Sequence, residues 1–328
     1  MEYFRIKHDR LVCLLCRHYC TLSEGQIGMC QVEKNSNGKL ECLVYAHPSA
    51  VHIDPIEKKP LYHFLPTSTS FSIGTVGCNL RCPFCQNWLI SQSGEVDTSI
   101  TLLPKDAAHF AQVQGCASIS YTYNEPSVWY PYAKDIGIEA KKRGLRNVFV
   151  SSGFESDEVC EDAPTWIDAA NIDLKSFNPS YYKKVLKASL SGVQETLISM
   201  VKHGIWVEVT TLIVPGVNDS HEELKSIAEF IVEHLGKHVP WHISAFHPDY
   251  RMKSTPPTPL ETIKDAYRIG KNAGLYYVYM GNVTLPSQTH CPECGTLLIE
   301  RHGFQTTHFS LEDAHCPKCR RPIEGVWK

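Results

Sequence analysis

The feature that most constrains this chain is an alternation. From residue 69 onward, short runs rich in β-branched and aromatic residues alternate six times with helical stretches. "TSFSIGT" (69–75), "ASISYTY" (117–123), "RNVFVS" (146–151), "AANIDL" (169–174), "IWVEVTTLIV" (205–214) and "WHISAF" (241–246) read as strands, and "YYVYM" (276–280) follows the last helix. The helices between them carry their own punctuation. Pro104 opens one that Gly115 closes, and the helix after Ser127 closes at Gly144. Ser191 is expected to cap a helix ending near Gly204, and Ser220 with Glu223 to form a capping box for one ending near Gly236. The last runs from about Pro259 to Gly274. Six strand–helix units in series predict a parallel sheet with right-handed crossovers. That leaves an open doubly wound sheet or a TIM-like barrel, full or partial. No G-x-G-x-x-G follows the first strand, which counts against a dinucleotide-binding sheet.

The polar residues decide between the two, because they track the strand ends. Cys78, Cys82 and Cys85 follow the first strand, Asn124-Glu125-Pro126 the second, and Ser151-Ser152-Gly153 the third. Asp173 and Lys175 end the fourth, Thr211 and Pro215-Gly216 the fifth, and His247-Pro248-Asp249 follow the sixth. A barrel gathers its C-terminal strand ends on one rim, where such folds carry their reactive groups. The expected fold is therefore α/β, a TIM-like barrel, full or partial, over residues 67–284, with a cysteine-rich segment before it (1–66) and a second after it (285–328).

Cysteine usage sets the compartment and the chemistry. Eleven of the 14 cysteines fall into tight groups, and no apolar stretch resembles an export signal or a membrane span; "LVCLLC" is short and runs into Arg17 and His18. The expectation is metal or iron–sulfur binding in a reducing cytoplasm, with Cys42, Cys116 and Cys160 as ordinary buried thiols. A net charge of −3 offers no general attraction to nucleic acid or to anionic membranes.

Cys78, Cys82 and Cys85 are spaced C-x3-C-x2-C. Three cysteines on a four-iron cluster leave one iron open to an outside ligand. The plainer alternative is a zinc knuckle that borrows a distant fourth ligand. The motif "GCNLRCPFCQNW" resembles the cluster loop of the glycyl-radical-enzyme activases, in Asn87 especially. With "CxxCRHYC…GMC", "YTYNEPSVWY", "NIDLKSF", "VPGVND", "FHPDYRM" and "CPKCRRPIEGVW", nearly the whole chain resembles AmmeMemoRadiSam-type radical S-adenosylmethionine (SAM) enzymes, relatives of the pyruvate formate-lyase activating enzymes. That resemblance implies a partial (β/α)6 barrel, a [4Fe–4S] cluster on Cys78, Cys82 and Cys85, and SAM. It puts Phe84, Asn87, Asn124, Glu125, Ser151, Ser152, Asp173, Lys175 and His247 around SAM, with Glu125 on its ammonium, Lys175 on its carboxylate and His247 near its nucleoside. Activases carry an acid where this chain has Val150, which puts a cation site there in doubt.

The flanks hold two complete sets. Cys291, Cys294, Cys316 and Cys319 form two C-x2-C knuckles at zinc-ribbon spacing, and zinc is expected over a rubredoxin-like iron. Cys13, Cys16, Cys20 and Cys30, with His18 among them, suit zinc or an auxiliary iron–sulfur cluster, and the spacing leans to zinc. The functional expectation is reductive cleavage of SAM, with electrons from a flavodoxin or ferredoxin, and abstraction of hydrogen from a substrate that in activases is a protein glycine. A small molecule or an RNA base is the alternative substrate, the latter weakly favoured by the basic "KCRRP". A metal-stabilised binding module without turnover is the alternative outside enzymology.

Overall fold

The computed structural model describes residues 2–328. An eight-stranded sheet forms the core. Seven of its strands run parallel in sequence order: Thr69–Gly74, Ser118–Tyr121, Arg146–Ser151, Ala169–Asp173, Trp206–Ile213, Trp241–Ala245 and Val278–Gly281. The stretch "YYVYM" thus contributes a seventh parallel strand after the six strand–helix units. Their residues are almost continuously buried, as parallel strands covered by helices must be. The inner face is polar for a barrel: Ser70, Ser72, Ser118 and Ser120 are fully buried, and the Ser70 and Ser120 hydroxyls pair at 2.6 Å.

The eighth strand, Ala50–Pro55, pairs antiparallel with Thr69–Gly74 and forms one edge of the sheet. It lies inside the segment expected to precede the barrel, so the sheet reaches back across the boundary drawn at residue 66. The other edge is Val278–Gly281. The two edges are not hydrogen-bonded to each other among the described residues, and the barrel is therefore partial.

Local signals mostly hold, with two corrections. The helix Leu190–Lys202 is capped by Ser189, whose hydroxyl accepts from the Gly192 amide at 3.2 Å, and not by Ser191. Ser220 caps the helix His221–Phe230 as expected, but the reciprocal half of the capping box is missing. The Glu223 carboxylate turns instead to Ser176 Oγ and to the Phe177 amide at 2.7 Å, tying the helix to the loop after Asp173. Two tertiary donors outcompeted the local cap.

The segment from Ile56 to Leu65 crosses the bottom of the barrel. Asn171 Nδ2 donates to the Pro60 carbonyl, and the Tyr62 and His63 amides donate to Glu208 at 3.0 and 2.7 Å. The C-terminal module is a three-stranded antiparallel sheet, Ser287–His290, Leu297–His302 and Gln305–Phe309, docked beneath this floor. Arg301 is completely buried there, donating to the Tyr62 carbonyl at 2.7 Å with its guanidinium over the Tyr62 ring. Val326 exchanges backbone bonds with His63 and Leu65. At the opposite end, the N-terminal strands Phe4–Lys7, Arg10–Cys13 and Thr21–Leu22 and the hairpin Glu33–Ser36/Lys39–Cys42 pack beside the cysteine loop. No helix of the described residues is long and apolar enough to cross a membrane.

Candidate active site

A cavity of about 480 Å³ opens at the C-terminal strand ends, within the size range of small-molecule sites. Cys78, Cys82 and Cys85 line one side of it. The loop that carries them is held from both sides. At Gly77, φ is +90° and a Cβ would stand 2.6 Å from the Cys30 carbonyl oxygen, so only glycine permits this approach of the loop to the N-terminal segment. From the barrel side, Asn124 Nδ2 donates to the Val76 and Gly77 carbonyls and to Thr75 Oγ1, while its Oδ1 accepts from the Thr75 amide and from Trp129 Nε1. These bonds use the whole capacity of the amide. Asn124 lines the cavity, and its polar atoms are engaged in shaping the cysteine loop.

Eight of the nine expected SAM residues line this one cavity: Phe84, Asn87, Asn124, Glu125, Ser151, Ser152, Asp173 and Lys175. The ninth, His247, is exposed at the rim, where it accepts from Gln86 Nε2 at 2.8 Å. Glu125 is buried and accepts from the Ser127 amide (3.1 Å), from Ser151 Oγ (2.9 Å) and from the Ser152 amide (2.8 Å). The two serines thus act on Glu125, fixing its carboxylate at the cavity wall. Lys175 pairs with Asp173 at the end of the fourth parallel strand. Burial works against its charge, but Asp173 and the Cys82 sulfur outweigh that and hold the ammonium firmly protonated.

Sequence reasoning missed two groups. Glu155 is completely buried against Ser151 Oγ, and burial next to Glu125 pushes it up to about 8. On the opposite wall, Asp54 binds Lys59 Nζ at 2.7 Å, Lys58 Nζ at 2.9 Å and the Tyr123 hydroxyl at 2.6 Å. Burial disfavours its charge, yet these donors hold its carboxyl well below the usual range. Lys58, Lys59 and Tyr123 all line the cavity. The only hint was the alternation in "AVHIDP", which marks the edge strand that carries Asp54.

The C-terminal cysteines form a compact set. Cys291, Cys294, Cys316 and Cys319 bring their ligand atoms within 4.8 Å of one another, with Cys291–Cys319 at 3.5 Å and Cys294–Cys316 at 3.6 Å. Four thiolates about 2.3 Å from a single tetrahedral ion stand roughly 3.8 Å apart, so this set fits one zinc or iron ion. The nearby arginines are spent: Arg320 pairs with Glu312 and Arg321 with Glu324. Among the described residues, Lys318 is then the one basic residue of "KCRRP" without a carboxylate partner. In the N-terminal set, burial raises the thiol pKa values of Cys13, Cys16 and Cys30, and each also feels other cysteines of the same four. His18 is not turned to them; its Nε2 meets the Asn79 carbonyl at 2.9 Å and its ring stands edge-on to Phe154.

Comparison with known proteins agrees with this geometry. The model of the radical SAM superfamily matches residues 72–231. The "uncharacterized protein MJ0808" of Methanocaldococcus jannaschii is 41% identical over 99% of this chain and 98% of its own length. A pyruvate formate-lyase-activating enzyme of Staphylococcus epidermidis is 25% identical over 59% of this chain and 85% of its own. Among solved structures, a radical SAM methyltransferase from Sphaerobacter thermophilus superposes with a TM-score of 0.51 at 15% identity, over 71% of each chain.

Proposed function

The chain belongs to the radical SAM superfamily, and from that premise we propose that it is an activating-type enzyme that binds a [4Fe–4S] cluster on Cys78, Cys82 and Cys85 and cleaves SAM beside it. When bound, cluster and SAM supply one-electron cleavage to methionine and a 5′-deoxyadenosyl radical, which takes a hydrogen atom from the substrate. The observation that carries the reading is the donor set of one cavity. It presents three cysteine thiols, no fourth cysteine and no histidine, with Glu125 and Lys175 on its wall. Three thiols leave one iron of a four-iron cluster without a protein ligand, which is where the amino acid end of SAM would bind.

The chain's own residues then have separate tasks. Glu125 accepts from three donors that fix its orientation, and its carboxylate is the natural partner for the SAM ammonium. Lys175, neutralised on one side by Asp173, offers its remaining N–H donors to the SAM carboxylate. Asn124 and Asn87 position the loop, the latter by donating to the Tyr123 carbonyl at 2.8 Å. The apolar ring of Phe84 shields the cysteines from water. A hydrogen on a glycine Cα of a partner protein is the target we infer, supported by the activase relatives. A flavodoxin- or ferredoxin-class protein in the cytoplasm is the inferred reductant, and zinc the inferred ion of the C-terminal set.

The test is anaerobic reconstitution with iron and sulfide, addition of dithionite and SAM, and chromatography for 5′-deoxyadenosine. Product above the no-enzyme background is expected, and none in a cluster-loaded sample would leave a binding module without turnover. Deuterium passing from Cα-labelled glycine in a candidate partner into 5′-deoxyadenosine would identify the substrate; label from a small molecule instead would refute the protein target.

A further inference from the structure

The molecule holds its cysteines in two geometries. The C-terminal four close to single-ion spacing. The three of the cavity loop do not: among the described residues, no group of three or more ligand atoms within 4.8 Å includes them. That is as it should be for a polynuclear site, because thiolates on the corners of an iron–sulfur cube stand farther apart than thiolates on one ion. Cys13, Cys16, Cys20 and Cys30 follow the loop and not the ribbon. They face one another, yet they too are absent from any group at single-ion spacing. Gly28 sits between them: a Cβ there would lie 3.6 Å from Cys30 Sγ and 3.8 Å from Cys20 Sγ.

The surroundings fit a bound group. Glu33 is 1% exposed and lies beside Cys13 and Cys30, with the Cys42 thiol in hydrogen-bonding reach of its carboxyl. The site also abuts the cavity loop. Asn79 is fully buried, with its Oδ1 4.0 Å from Cys78 Sγ and its side chain within hydrogen-bonding reach of the Cys16 thiol. Arg81 of the loop donates to the Met29 carbonyl, one residue before Cys30.

We propose that Cys13, Cys16, Cys20 and Cys30 bind a second, four-iron cluster, separated from the cavity cysteines by the single side chain of Asn79. The geometry favours this over the zinc ion to which the spacing alone leaned. The proposal uses the four-iron reading of the cavity loop as its internal standard, and the experiment separates the two.

The variant C78A/C82A/C85A leaves the N-terminal set intact. After anaerobic reconstitution and desalting, iron, acid-labile sulfide and zinc are counted per chain. About four iron and four sulfide, with a single zinc, are expected, and about eight iron in the unmodified protein. A variant without iron that carries two zinc ions per chain would overturn the proposal, as would one with neither iron nor a second zinc. If both proteins hold the same four iron, the cavity loop binds none and the proposed function fails while this assignment stands. The converse variant, C13S/C16S, should keep about four iron and lose the rest. Should it fail to fold, the first variant decides alone.

Discussion

The two ends of the barrel bury similar chemistry and use it differently. On the floor, Glu208 accepts from the Tyr62 and His63 amides, from Trp206 Nε1 and from His242 Nε2. His63 continues the network, with its Nδ1 on the Glu324 carbonyl and its Nε2 on the Tyr279 hydroxyl, and Arg301 completes it through Thr289. Most of these bonds join distant parts of the chain, and of the Arg301 donors only Nε lacks a hydrogen-bond partner, standing 3.9 Å from Glu57. On the rim, Glu125 is also buried and Lys175 partly so, and both are partnered, but both line the cavity and keep capacity in reserve. A buried charge is therefore not a functional marker by itself. The distinction lies in whether its partners exhaust it.

The comparison breaks most sharply at the cysteines. Cys82→Ala should reduce 5′-deoxyadenosine to background while the melting temperature of the cluster-free protein moves little, since a thiol is exchanged for a methyl beside an open cavity. Equal losses of folding and cleavage would place Cys82 with the floor. Glu208→Ala should do the opposite. It strands two buried amides and His242, a loss of about 3–5 kcal/mol by analogy with broken buried pairs, and urea unfolding would register it. Cleavage per folded, cluster-loaded molecule should persist.

Acid sharpens the contrast at about 3 kcal/mol. Burial pushes His63 down to about 4, from an ordinary value near 6.5. Between those pH values the unfolded chain binds a proton that the folded chain refuses. Stability from this group is thus full above pH 6.5 and is lost as the pH falls toward 4, by roughly 1.4 kcal/mol per pH unit. Urea midpoints measured across that window should fall more steeply for the native protein than for His63→Gln. Parallel slopes would show that His63 does not report on the floor.

How much of this could be read beforehand follows the same division. The parallel strands were legible because each is a local run of β-formers, and the rim because its residues sit directly after those runs. The cavity lining from Cys78 to Lys175 was found that way. The edge strand Ala50–Pro55 was not, because its partner lies beyond the floor segment and "AVHIDP" is short and mostly exposed. Asp54, Lys58 and Lys59 were lost with it. The floor was invisible for a stronger reason: Tyr62, Glu208, His242, Tyr279 and Arg301 meet only through tertiary folding, and no periodicity links them. The hydrogen bonds of Ser151 and Asn124 to Glu125 and to the cysteine loop were not legible, because a polar residue at a strand end reads the same whether it faces a ligand or holds the residue that does.

The smallest expected effect tests the tail. Arg320 meets Glu312 at 2.7 Å, with both side chains about three-fifths exposed. Such a pair in water contributes roughly 0–1 kcal/mol. Arg320→Ala should therefore leave thermal unfolding nearly unchanged, and it should leave any retention on an RNA or heparin column unchanged as well, because the guanidinium is already neutralised. A clear loss of retention would mean that the pair opens to meet a polyanion, returning the ribbon to the list of binding surfaces and giving it a task beyond covering the floor. Unchanged retention leaves the ribbon as what its contacts make it: a cap with four cysteines at single-ion spacing, whose buried face, from Arg301 to Val326, completes the bottom of the barrel.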